Sequence, residues 1–204
     1  MVKRDVSVQK VQSRPGEGHL IDMTVVSSDS DTLTIALDAQ SLPVPDRKYS
    51  CDAAQVIADD FSVRLLLGQR QPVGSGLLSM LVVTLAPESV GQFLGSLRGE
   101  FVDNAAKYVS GHHGRVALST FTENAQQSVV LTSSYIVAGY TGLSSCLDFY
   151  FASPFSVQQM AALKKLALEP VVRVNLSTGL LLSLIDAVRN AAQESKWRVF
   201  APDM

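Results

Sequence analysis

Two adjacent histidines, His112 and His113 in the stretch SGHHGR, carry the side chains best suited to chemistry in this sequence. Imidazole binds metals and exchanges protons near neutral pH. A metal centre needs further ligands at set spacings, and the third histidine, His19, lies too far along the chain to supply a known pattern. Histidines in a glycine-bounded loop just past a helix otherwise cap helix-end carbonyls or face water. Arg70, in the loop GQRQPVGSG, is the polar group that would join His112 and His113 in a small-ligand pocket between the two halves of the chain. That loop is no phosphate cradle, because it lacks the GxxxxGKS/T spacing and feeds a strand instead of opening a helix.

Asp59 and Asp60 are neighbours, and neighbours in a strand point to opposite faces. They are expected to form a turn before Phe61 and not a convergent acid–base pair. Cys146 lies in an apolar alternating run with no histidine beside it, which marks a core thiol and not a nucleophile. Ser79, Ser96 and Ser183 fall in no GxSxG elbow. The sequence thus predicts a non-enzymatic protein, with no catalytic residue, no metal and no cofactor. Phe149, Tyr150 and Phe151 in succession would suit base stacking, but Asp148 beside them and the lack of nearby Lys or Arg favour a core strand or a subunit seam. Phe149 and Phe151, with Trp197 and Phe200 of the C-terminal KWRVF, form the candidate partner surface.

The elements that must position these groups follow from hydrophobic period. Residues 20–26 and the stretch TLTIALD, in which Leu33, Ile35 and Leu37 alternate with Thr34 and Ala36, read as a hairpin, whose turn holds Asp29 and Asp31. An EF-hand would need Gly and Glu where Thr34 and Gln40 stand. The two prolines of SLPVPDRKYS mark a linker. Phe61, Val63, Leu65 and Leu67 then alternate with Ser62, Arg64 and Leu66 as a strand. LSMLVVTL is a second strand, leading through Ala86–Pro87–Glu88–Ser89 into a helix. Its stripe of Val90, Phe93, Leu94, Leu97, Phe101, Ala105 and Tyr108 predicts one long helix ending near SGHHG.

The second half reads as a distant copy. A shift of 91 residues carries Leu81, Val83 and Leu85 onto Val172, Val174 and Leu176, and the helix stripe onto Leu181, Leu184, Ile185, Val188 and Ala192. A shift of 84 carries Val63, Leu65 and Leu67 onto Leu147, Phe149 and Phe151. The difference is taken up by FSVQQMAALKKLALEP, read as a short helix capped by Ser156 and stopped by Pro170. The residues Val56, Asp60, Phe61, Gly68, Ala86, Pro87, Val90 and Leu94 resemble a family of short bacterial and archaeal proteins of unknown function. Its marks are an Ala-x-x-Val segment, an Asp-Phe strand ending in Gly, and a Ser-Pro-x-x-Ala-x-x-Leu step from strand to helix. The resemblance covers residues 53–108 and implies a fold, not an activity; in the second half Ser153 and Thr178 replace the Gly and Pro.

The expected architecture is α+β: antiparallel sheets with two long helices in a tandem strand–strand–helix pseudo-repeat. Residues 1–110 would hold an N-terminal sheet and the first repeat, and residues 111–204 the second, divergent one, packed as one globular unit. A net charge of −2 without a Lys/Arg cluster disfavours nucleic acid. The N-terminus lacks a signal-like apolar run, no stretch approaches the roughly 18 apolar residues of a membrane span, and two unpatterned cysteines suit a reducing compartment. A cytoplasmic protein off the membrane is expected. With 47% apolar residues and sheet edges to protect, the chain is expected to be a homo-oligomer that holds a protein partner, as an adaptor or chaperone-like scaffold.

Overall fold

The computed structural model describes residues 18–28, 33–37, 41–72, 77–97, 99–111, 116–121 and 127–195. Within them the fold is α+β, with ten strands and four helices. The first strands are β1 (His19–Ser28) and β2 (Leu33–Leu37), the expected antiparallel hairpin. Asp29 and Asp31 lie outside the described residues. There follow β3 (Lys48–Ser50), β4 (Ala53–Ala58), β5 (Val63–Arg70), β6 (Leu77–Leu85), α1 (Pro87–Ser96) and α2 (Gly99–Ser110). The second half holds β7 (Gln127–Ser133), β8 (Tyr135–Thr141), β9 (Ser144–Phe151), α3 (Pro154–Leu163), β10 (Lys165–Ser177) and α4 (Thr178–Glu194).

Several elements differ from expectation for local reasons. Asp59 and Asp60 do precede the strand as a turn: the Asp59 carboxylate accepts from the Phe61 and Ser62 amides, 2.9 and 2.8 Å away. That turn takes Phe61 out of the strand, and it is 84% exposed. The long helix is two. Leu97 leaves helical geometry (φ −81°, ψ 74°) while its amide still bonds back to Phe93 and Leu94, and Gly95 and Gly99 on either side are weak helix formers. Tyr108 consequently is exposed instead of belonging to the core stripe. Only α4, of 17 residues, is long. The cap of α3 is Ser153, which accepts from the Ser156 amide, while Ser156 itself binds the Ala167 backbone. Pro170 stops no helix. Lys164, in left-handed geometry, ends α3, and Pro170 lies within β10 at a bulge, where a missing amide hydrogen is tolerated.

The strands form two sheets, one ordered β2-β1-β10-β9-β8 with β3 also on β10, the other β4-β5-β6-β7. They are mixed and not purely antiparallel, because β3 runs parallel to β10 and β7 parallel to β6. The two exceptions correspond. Each short strand precedes a three-stranded meander, β4-β5-β6 or β8-β9-β10, yet joins the last strand of the other meander. The registers match as well: Tyr49 opposes Val174 where Leu131 opposes Val83, Ala53 opposes Gly68 where Tyr135 opposes Tyr150, and Leu65 opposes Val83 where Leu147 opposes Val174. The helices cross over too, α4 packing on β4 and α1 on β8.

A main hydrophobic core results, beside a second cluster of Ile21, Tyr150, Ala152, Leu166 and Leu168. In the main core Val63, Leu65, Leu67, Leu81, Val83 and Leu85 from one sheet join Ile136, Leu147, Phe149, Val172, Val174 and Leu176 from the other, together with Val90 and Phe93 of α1 and Leu181, Leu184 and Ile185 of α4. A smaller cluster of Ala105, Val109 and Leu182 fixes α2 to α4. Among the described residues no helix is long and apolar enough to cross a membrane.

Candidate functional site

Since Val63, Leu65, Leu67, Leu81, Val83 and Leu85 face the core, the residues between them face outward. Strand register aligns Gln55, Leu66, Val82 and Val130 across β4, β5, β6 and β7, with Met80 beside them on β6. Leu66, Met80 and Val82 are only partly buried, and Val130 is 69% exposed. The helices α1 and α4 lie on the opposite, core side. One end of the outer face is covered by residues 116–121. The Ser119 amide bonds to the Ala54 carbonyl, the Phe121 amide to Gln55 Oε1, and the Phe121 ring lies over Gly68, where a Cβ would come within 3.1 Å of it. At the far end Val129 and Val130 of β7 are exposed.

Beyond β7 a cleft of about 560 Å3 separates this sheet from the β9–β10 bulge. Leu131, Phe151, Pro170 and Val171 supply its apolar lining, and Arg47, Glu169 and Asp46 its charges. Next to Thr132, the Ser133 hydroxyl donates to the Tyr150 carbonyl at 2.9 Å and ties β7 to β9. A second groove, of about 610 Å3, lies between β4 and the C-terminal turns of α4. Gln55, Asp59, Asp60, Thr120, Asn190 and Glu194 make it polar and acidic.

The predicted site residues scatter. Arg70 donates to Ser119 Oγ at 2.7 Å, so it braces the strip over β4, and Ser119 lines the acidic groove. His112, His113, Trp197 and Phe200 lie outside the described residues. Phe149 is completely buried and Tyr150 nearly so, which removes both from any partner or base-stacking surface. Phe149 falls in register between Ile136 and Val172 on the core face of its sheet. Phe151, one residue past the core, lines the cleft.

Burial sets the chemistry of several groups. The Cys51 thiol, donating to the Ala53 carbonyl, is pushed up to about 12 by desolvation. Cys146 is raised by the same cause and by Asp148. Neither offers a ready thiolate at neutral pH. On the side of the first sheet away from the core, Arg173 Nε and an Nη grip the two Asp148 oxygens at 2.7 and 2.6 Å. Burial and the adjacent Asp148 raise the Tyr150 phenol to about 12.

The outward row Leu66, Met80, Val82 and Val130 had a sequence signal that alternation obscured. VRLLLG and LLSMLVVTL are apolar at consecutive positions, which marks strands apolar on both faces. Comparison with protein-family models, curated proteins and solved structures found no match.

Proposed function

We propose that the chain is a non-enzymatic protein-binding scaffold, an adaptor or small chaperone-like protein, whose working surface is the outer face of the four-stranded sheet. The row Leu66, Val82 and Val130 carries this reading, since among the described residues α1 and α4 pack on the opposite side of the sheet and the apolar band runs out to the exposed Val130. A band of that kind, rimmed by Gln55, Arg64 and Thr84, has the character of a polypeptide contact.

The scaffold is further read as a tandem pseudo-repeat, related to the family of short proteins that residues 53–108 resemble. In support, Tyr49 to Leu131, Ala53 to Tyr135 and Leu65 to Leu147 are each 82 residues apart, and Val83 to Val174 is 91, in matching registers. The strand offset of 84 expected from sequence becomes 82 on this alignment and keeps the same faces inward. A cytoplasmic setting suits the two free thiols.

The test is native mass spectrometry of the protein drawn gently from its source cells, beside a Val82→Asp variant. A discrete second polypeptide on the wild type, lost from the variant, is expected. Bare protein, or a companion that the variant retains, overturns the assignment of this face.

The acidic groove between β4 and α4 favours a second reading, a pocket for a small cationic ligand between the halves. An Asp59→Asn/Glu194→Gln variant that loses a ligand co-purifying with the wild type would establish it.

A further inference from the structure

We propose that the cleft between β7 and the β9–β10 bulge binds a small phenolic ligand, in the place that a tyrosine of the chain itself fills in the first half. The two halves share a pattern of contacts here. The Asp52 amide donates to the Gly68 carbonyl at 3.1 Å, and the Ser134 amide to the Tyr150 carbonyl at 2.9 Å. Cys51 Sγ lies 3.1 Å from the Ala53 carbonyl oxygen, and Ser133 Oγ lies 3.0 Å from that of Tyr135. Each residue of the second half stands 82 positions after its counterpart. By the same register Tyr49, which opposes Val174, corresponds to Leu131, which opposes Val83. Gln69 corresponds to Phe151, and Ser79, the strand partner of Gln69, to Glu169, the strand partner of Phe151.

In the first half these three side chains close on one another. Tyr49 packs on the main core, its hydroxyl lies 2.9 Å from Ser79 Oγ, and Ser79 donates to Gln69 Oε1 at 3.3 Å. In the second half Leu131 packs on the same core without a ring or a hydroxyl, and Leu131, Phe151 and Glu169 all line the cleft of about 560 Å3. The neighbouring replacements suit a ring brought from outside. Phe151, Pro170 and Val171 offer it apolar and aromatic surface. The Glu169 carboxylate stands where Ser79 meets the Tyr49 hydroxyl, and a charged acceptor binds a phenol more strongly than a serine does.

The occupant is a free molecule and not a strand of another protein, because β7 already holds the strand position that β3 takes in the first half. The volume falls in the range of about 300–1,000 Å3 typical of small-molecule sites. Arg47 and Asp46 bring opposite charges to the lining, so the ring and its hydroxyl, and not net charge, select the ligand. Leu131 packs on the core side of β7 and Val130 faces outward, so this site goes beyond the protein-binding face and stands or falls apart from it.

The test is calorimetric titration of the full chain with p-cresol, the tyrosine side chain as a free molecule, beside toluene, which keeps the ring and lacks the hydroxyl. Saturable binding of p-cresol with a Kd on the order of 1 mM is expected. Toluene should bind about tenfold more weakly, through loss of a hydrogen bond to a carboxylate. Leu131→Tyr, which supplies the ring from the chain, should abolish p-cresol binding. Glu169→Leu, at an exposed position, should bring p-cresol down to the level of toluene, and it carries the test alone should the added ring at 131 disturb the fold. Absence of saturation, equal binding of toluene, or binding that these variants leave unchanged overturns the proposal. So does N-acetyltyrosine amide binding more than about tenfold tighter than p-cresol, since a polypeptide side chain is then the occupant. A companion polypeptide lost on Val82→Asp, with no p-cresol binding, overturns only this inference; p-cresol binding without any companion overturns only the protein-binding reading.

Discussion

The Arg173–Asp148 pair has two well-aligned bonds, and Asp148 is only 6% exposed. Removing one partner of such a pair strands the other without compensation. Arg173→Ala should lower unfolding stability by about 3 kcal/mol, near the low end for buried pairs because the arginine keeps some solvent contact. Arg173→Leu combined with Asp148→Leu should recover most of that loss, and urea denaturation of the three proteins checks both statements. The buried acids give a second prediction. Cys51 moves from 9.0 to about 12 and Tyr150 from 10.0 to about 12 on folding. The unfolded chain therefore gives up these protons first, so the folded state binds more protons and stability falls as pH rises. The contribution is intact below pH 9 and declines between 9 and 12. Cys51→Ala should make that decline shallower, with Cys146 and Tyr150 still contributing, as read from urea midpoints across the alkaline range.

Helix ends are where single side chains govern whole elements. Ser177 closes β10 and opens α4, its hydroxyl accepting from the Leu180 amide. Ser177→Ala should cost about 1 kcal/mol, with Ser177→Asp close to wild type, by thermal unfolding. At this scale the sequence was readable where the apolar period changes, at the β6–α1 and β10–α4 steps, and at the Asp59 turn. It misled where tertiary context decided. Gly95 and Gly99 flank the break at Leu97, but the apolar stripe continues through it, so period alone reads residues 87–110 as one helix. Pro170 reads as a stop, yet a bulge admits it to a strand. The site was less legible than the fold, since Leu66 and Val82 look like core residues until the position of the helices leaves their face open.

At the scale of the molecule, the exchange of β3 and β7 and the crossing of α4 onto β4 and α1 onto β8 divide every core surface between the two halves. Residues 41–121 made alone lack β7 and α4, so Val83, Leu85 and Ala54 lose their cover. Each half by itself should show no cooperative unfolding transition, and an equimolar mixture should regain one with the near-ultraviolet circular dichroism of the intact chain. A half that melts cooperatively alone would mean that the shared core matters less than its residue content implies.

The central claim is that the open face of the four-stranded sheet holds another polypeptide. A photoreactive amino acid placed at Val82 and, as control, at the exposed Phe61 turn, cross-linked in living cells and resolved by mass spectrometry, tests it most directly. The account predicts a discrete adduct with a specific second protein from position 82 and none from position 61. Equal diffuse labelling from both positions, or no adduct at 82, would contradict it.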